Sequence, residues 1–115
     1  MTSTDIDRYR ASTTEAEMER GIRDAVFDGY VFHVDDSRKV PGMEHFPDLV
    51  VVSPRHRLVA FLELKSQKRK ITPGQQSVIA TLQSCDIVRA GVVRPVPHPG
   101  EIGYDEIVAM LGGGA

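Results

Sequence analysis

Asp48, Glu63 and Lys65 are the residues of this chain whose types and spacing could do chemistry, and they bracket its most apolar element. Two hydrophobic runs, residues 49–52 and 58–62, are joined by the polar segment "SPRHR"; Asp48 opens the first run, and Glu63 and Lys65 close the second. Side chains alternate faces along a strand, so Glu63 and Lys65 share a face with Val59 and Phe61. If Ser53 and Leu58 flank a four-residue turn at residues 54–57, then Val52 pairs with Val59 and Val51 with Ala60. Continuing that ladder sets Asp48 opposite Glu63, with Cβ atoms about 5 Å apart. Facing carboxylates repel, and partial burial raises the cost. Lys65 offsets part of it, but a divalent cation with oxygen ligands fits the pair better. The geometry depends on the register, since a slip of one residue moves each side chain to the other face. The bland alternative is a turn aspartate and a solvated Glu63–Lys65 ion pair at a strand end.

The elements that must position these residues can be read from periodicity and caps. Residues 1–13 are polar and aperiodic, which predicts a flexible arm. Thr14-x-x-Glu17 is a capping box, and Met18, Ile22, Ala25 and Val26 follow at helical spacing. Asp28-Gly29 ends that helix, and residues 30–34 ("YVFHV") read as a strand. After the polar loop "DDSRKVPGMEHF" and the hairpin, "SQKRKITPGQ" leads into a second helix over residues 73–84, with Thr72 as N-cap and Pro73 in the first turn. Residues 87–94 should return as a strand and residues 104–111 as a short helix, leaving 112–115 as a disordered tail. The order α-β-β-β-α-β-α implies an α/β fold, a mixed sheet flanked by helices, with residues 14–111 as one domain.

The 115 residues include a single cysteine, Cys85, so an intramolecular disulfide and a thiolate zinc cluster are excluded. No apolar run approaches the roughly 20 residues that span a bilayer, and a cytoplasmic protein is expected. The net charge of −2 hides an asymmetry. Residues 1–28 carry seven acids against four arginines, whereas residues 37–70 carry eight bases against three acids, a local +5. Two solvated faces would explain this; so would a phosphate-binding surface enclosing a metal site.

Other residues gather around the same chemistry. Glu15 and Glu19 fall on the apolar stripe of the first helix, while Glu17 is explained as the capping acid. Glu15 could supply a third carboxylate, with the helix dipole as the competing account. Gln75 shares a face with Val78, Ile79 and Leu82, yet also completes a capping box with Thr72, and both accounts stand. His33 is a lone strand histidine, more often structural than catalytic. His45, His56 and His98 lie in loops and form no zinc-binding pair, and no Gly-rich phosphate loop is present.

The blocks "TEAEMER", "GYVFHVDDSRK", "FPDLVVV", "RLVAFLELKS" and "KITPGQ" occur in the order seen in VRR-NUC proteins. The resemblance spans residues 14–94; Pro47-Asp48, Glu63-Leu64-Lys65 and Thr72-Pro73-x-Gln75 are its specific part. The chain thus resembles the small stand-alone phage and bacterial members of the PD-(D/E)XK nuclease superfamily. The resemblance implies a restriction-endonuclease-like core and a Mg2+- or Mn2+-dependent endonuclease acting on DNA, with branched or Holliday-junction-like substrates. It implies a homodimer, since related junction resolvases are dimers, and a host-cytoplasmic location for a phage-encoded member. Carried over, Asp48 and Glu63 are metal ligands, with the Leu64 backbone carbonyl as a further ligand and Glu15, which matches the family's helical glutamate, as a ligand of a second metal. Lys65 orients the attacking water and stabilises the transition state, and Gln75 matches the glutamine that opens the following helix. His33, Ser37 and Arg38 match a phosphate-contacting block, and Lys68, Arg69 and Lys70 supply the basic segment toward DNA. Glu19 departs from the usual glutamine, and "VPGMEH" resembles an insertion. The alternative is a non-catalytic nucleic-acid-binding or phage accessory module on a nuclease-like fold; intact Asp48, Glu63 and Lys65 speak against it.

Overall fold

Both capping boxes form. The Thr14 hydroxyl accepts from the Glu17 N–H at 3.1 Å, and Glu17 accepts in return from the Thr14 N–H at 3.1 Å. Thr72 and Gln75 repeat the exchange at 3.2 Å and 3.0 Å. Each box satisfies N–H groups that the first helical turn leaves without partners. The computed structural model describes residues 3–34, 41–42 and 44–112. The chain runs α1 (Ser3–Ala11), α2 (Glu15–Ala25), β1 (Tyr30–His33), β2 (Leu49–Ser53), β3 (Leu58–Leu64), α3 (Pro73–Gln83), β4 (Arg89–Arg94), β5 (Ile102–Gly103) and α4 (Tyr104–Gly112). Among the described residues, no helix is long and apolar enough to cross a membrane.

The five strands form one mixed sheet in the order β1-β2-β3-β4-β5. The first three are antiparallel and the last three parallel. The hairpin pairs Ser53 with Leu58, Val52 with Val59, Val51 with Ala60, Val50 with Phe61 and Leu49 with Leu62, the register expected from a four-residue turn. Residues 54–56 make one 3-10 turn, and Arg57 closes it in the left-handed region at φ 51°. Its N–H donates to the Pro54 carbonyl at 3.0 Å. Asp28 pins the turn by accepting from the Arg55 N–H at 2.6 Å and from the Ser53 hydroxyl at 3.4 Å. At Gly29 a Cβ would fall 1.8 Å from the Val52 carbonyl oxygen, so only glycine lets the chain enter β1 this close to the turn. These contacts oppose a register slip.

One sheet face carries the main core. Met18 and Ile22 of α2 and Ile107 and Leu111 of α4 pack with Leu49, Val51, Ala60, Leu62, Leu64, Val93 and Ile102. The opposite face presents Phe61, Glu63 and their β4 partners Ala90 and Val92, and α3 packs against β4 there. Glu63 is therefore on the α3 side of the sheet, and Leu62 and Leu64 are on the α2/α4 side.

Three sequence expectations change. The N-terminal segment, read as an arm, is helical over Ser3–Ala11. Its acid (Asp5) is in the first turn and its bases (Arg8, Arg10) in the last, which complements the helix dipole without any apolar stripe to reveal it. An ion pair from Arg10 to Asp105, at 3.0 Å, ties it to α4. β4 begins at Arg89, not at residue 87, because Ile87 lies outside the sheet and is 91% exposed. β5, a two-residue strand paired with Val93 and Arg94, adds an element too short to carry a pattern.

Leu62→Ala, at a fully buried centre of β3, should cost about 2–5 kcal/mol by cavity formation. Arg57→Gly should be neutral or stabilising by about 1 kcal/mol, because it relieves a left-handed non-glycine residue. Urea unfolding midpoints of the two variants check both.

Candidate active site

Past the Leu49–Leu62 pair, Asp48 lies one residue before β2 and Glu63 is the next residue of β3, and their carboxylates are neighbours. The Leu64 N–H donates to Asp48 Oδ2 at 3.0 Å, which fixes the aspartate carboxylate against the end of β3. Along the Glu63 face of β3 the usual burial gradient is inverted: Val59 is 37% exposed, while Glu63 and Lys65 are each 2% exposed. A strand that exposes a valine and buries two charges is not arranged for folding stability alone.

Lys65 Nζ lies 3.3 Å from Glu63 Oε2. Gln75 Nε2, reaching over from the first turn of α3, donates to the same oxygen at 3.3 Å. The other oxygen, Glu63 Oε1, is buried with no hydrogen-bond partner among the described residues. Burial first, and then the neighbouring Asp48 carboxylate, push the Glu63 pKa up to about 8 despite the opposing pull of Lys65. Asp48, Glu63, Lys65 and Gln75 line one cleft of about 670 Å³, together with His45 and Lys70. A separate depression of about 580 Å³ between α1, α2 and α4 contains none of these residues.

The donor set can be tested against a cation. Among the described residues no three His, Cys, Asp or Glu side chains group to hold a metal by themselves. What remains is the Asp48–Glu63 pair. Magnesium and ions like it are commonly held by one or two carboxylates, with water and substrate phosphate completing the shell. A cation would give Glu63 Oε1 its missing partner and remove the carboxylate repulsion, so the residues fit a hard divalent ion.

Asp48 also borders a smaller hollow of about 250 Å³ with Glu15, Glu19, His33 and Leu64. Both helical glutamates face inward as their spacing predicts, but both are engaged. Glu15 accepts from the Ser66 N–H at 3.0 Å and from Arg69 Nη1 at 2.8 Å and 2.9 Å. Glu19 lies 2.7 Å from His33 Nδ1 and 3.0 Å from Arg23 Nε. Burial pushes the Glu19 carboxyl up, but the bonds from His33 and Arg23 outweigh it and hold the carboxyl below the usual range. Lys70 and Arg69 open onto the cleft, and Lys68 lies beside a further depression with Ser66 and Glu15. Ser37 and Arg38 lie outside the described residues. For Gln75 the two readings are not exclusive: its Oε1 caps the helix and its Nε2 holds Glu63.

Two residues were missed from sequence. Arg94, 3% exposed, pairs with Glu101 at 2.7 Å and donates through Nη1 to the carbonyls of Ser66 and Arg69, clamping the loop that follows Lys65. The available signal was parity, since Arg94 follows Val92, the register partner of Glu63, by two residues. His45 adopts φ 67°, and its ring packs so closely on Gly74 that a Cβ there would lie 2.5 Å away. Nothing in its loop sequence signals that contact.

The Glu63 shift has a signed consequence. Between the ordinary carboxylate value of 4.5 and about 8, the folded state keeps a proton that the unfolded chain has released. Metal-free protein therefore loses stability as pH rises through that window, and the full penalty applies above it. In EDTA, wild type should lose on the order of a few kcal/mol more than Glu63→Gln between pH 5 and pH 9. Denaturation midpoints at the two pH values check this, and parallel pH profiles would contradict it.

Comparisons with known proteins add one finding. The VRR-NUC domain profile matches residues 31–96, more than half of the 115-residue chain. No curated protein and no solved structure gives a significant match. The matched segment runs from β1 to just past β4 and includes Asp48, Glu63, Lys65 and Gln75; on it, this chain belongs to the VRR-NUC family of nuclease-like domains.

Proposed function

We propose that the cleft is the active site of a divalent-cation-dependent DNA endonuclease that hydrolyses phosphodiester bonds. The observation that carries this reading is Glu63: a carboxylate 2% exposed, set beside a second carboxylate, with one oxygen that receives no hydrogen bond among the described residues. Asp48 and Glu63 would hold Mg2+ or Mn2+, next to the Leu64 carbonyl. When bound, the cation supplies charge neutralisation at the phosphate and acidifies water.

The chain's own residues account for the remaining work. Lys65, held by Glu63 at 3.3 Å, directs its other N–H donors to the attacking water and to the phosphate oxygen that gains charge. Gln75 keeps Glu63 Oε2 in place, which leaves Oε1 to turn toward the cation. Lys70 and Arg69 on one side and His33 on the other contact flanking phosphates, with Lys68 extending the basic surface. Contacts of this kind fix position along the backbone and carry no base sequence. One cleft cuts one strand, so scission of a duplex or of a branched junction calls for a homodimer. Branched DNA is the substrate class that the family resemblance favours.

The test is incubation with nicked, branched and linear DNA in Mg2+, Mn2+ or EDTA. Cleavage is expected in either metal and not in EDTA. Asp48→Ala and Lys65→Ala should each slow it by at least about 100-fold, as for removal of a preorganised charge at a reacting centre. DNA binding with no cleavage of any substrate in either metal would sink the enzyme reading in favour of a binding module.

A further inference from the structure

Glu15 and Arg69 join the two hollows on either side of Asp48. Glu15 opens onto the smaller one with Asp48 and Leu64, and Arg69 opens onto the larger one with Asp48, Glu63 and Lys65. Between them, Arg69 Nη1 contacts both Glu15 oxygens at 2.8 Å and 2.9 Å. The two partners differ in freedom. The Glu15 side chain sits on the first turn of α2 and is 26% exposed, whereas the Arg69 side chain is 61% exposed. The backbone beneath Arg69 is fixed, because Arg94 donates to the Ser66 and Arg69 carbonyls. Arg69 can thus swing its guanidinium about a held Cα without disturbing the loop.

An ion pair this exposed is held weakly, and a guanidinium binds phosphate with two parallel N–H donors at least as readily as it binds a carboxylate. We infer that Arg69 is a positioning residue with two alternative anions: Glu15 in the free protein and a DNA phosphate in the complex. Its transfer to phosphate frees Glu15 Oε1 to turn toward the cation beside Asp48, while Oε2 keeps its bond from the Ser66 N–H. This inference rests on the reading of Asp48 and Glu63 as the cation-holding pair. In the free protein, Arg69 stands in for a positive ion at the third carboxylate and lowers cation affinity. When DNA takes Arg69 away, the cation gains a ligand. DNA and metal therefore bind with positive coupling, each raising the affinity for the other.

The experiment titrates the full chain with Mn2+ alone, without DNA, following free Mn2+ by electron paramagnetic resonance. Arg69→Gln should bind Mn2+ on the order of 5-fold tighter than wild type or more. That gain should vanish when Glu15→Gln is added, and thermal melts confirm that each variant folds. In a second measurement, duplex oligonucleotide binding in EDTA, Arg69→Gln should flatten the log–log salt dependence by about one unit, one lost phosphate contact. Mn2+ affinity unchanged or weakened in Arg69→Gln, or a gain that persists in the Glu15→Gln background, overturns the inference. By contrast, failure of wild type to bind Mn2+, or binding that survives Asp48→Asn unaltered, overturns the underlying cation reading.

Discussion

A carboxylate that is 2% exposed, beside a second carboxylate, is a charge arrangement that water no longer relieves. Much of the surrounding structure is organised around that residue, Glu63. Lys65 and Gln75 both converge on Oε2, so a strand neighbour and a helix share the task of holding one oxygen. Paired charges in a protein interior rarely repay their desolvation through mutual attraction alone. Here one lysine contacts Glu63 beside a second acid, and Glu63 Oε1 is buried with no hydrogen bond among the described residues. The protonated form that burial favours and the ionised form that a cation would favour are thus set against each other at a single atom.

The frame behind this atom is polar as well. Arg94 and Glu101 form a buried pair, and the arginine also donates to two loop carbonyls. Gln67 exchanges two hydrogen bonds with the backbone of Val96, at 3.0 Å and 2.9 Å. Together they tie the loop after β3 to the segment after β4. The basic residues of that loop therefore project from a fixed base, which differs from a freely solvated charge run. Asp48 borders two hollows, one shared with Glu15 and the other with Lys70.

Much of this was legible in the residues. Strand parity and a four-residue turn were enough to set Asp48 against Glu63, because the side-chain period of two leaves a hairpin few registers that keep one face apolar. Thr14 with Glu17 and Thr72 with Gln75 announced two helix starts through local chemistry that needs no tertiary contact. Helical spacing placed Glu15 and Glu19 on the inward stripe. By contrast, α1 lacked an apolar stripe and β5 was too short for any pattern, so neither had a signal that periodicity could detect. Arg94 read as the polar end of a strand, and its role depends on carbonyls more than twenty residues away in the chain.

The sequence by itself therefore determined the local geometry: the caps, the hairpin register, and the facing of Asp48, Glu63 and Lys65. Their membership in a VRR-NUC pattern was visible at the same level. Only the tertiary structure decided the electrostatic state of that cluster. Burial of Glu63 arises when α3 and the loop close over the sheet, and Gln75 becomes both cap and clamp only in that packing. Whether Glu15 faces a cation or an arginine was likewise beyond the sequence. Its spacing points it inward, but Arg69 reaches it across 54 residues of chain. Dihedral preference and side-chain period are local and can be read in order, whereas desolvation and charge pairing depend on which distant groups exclude the water.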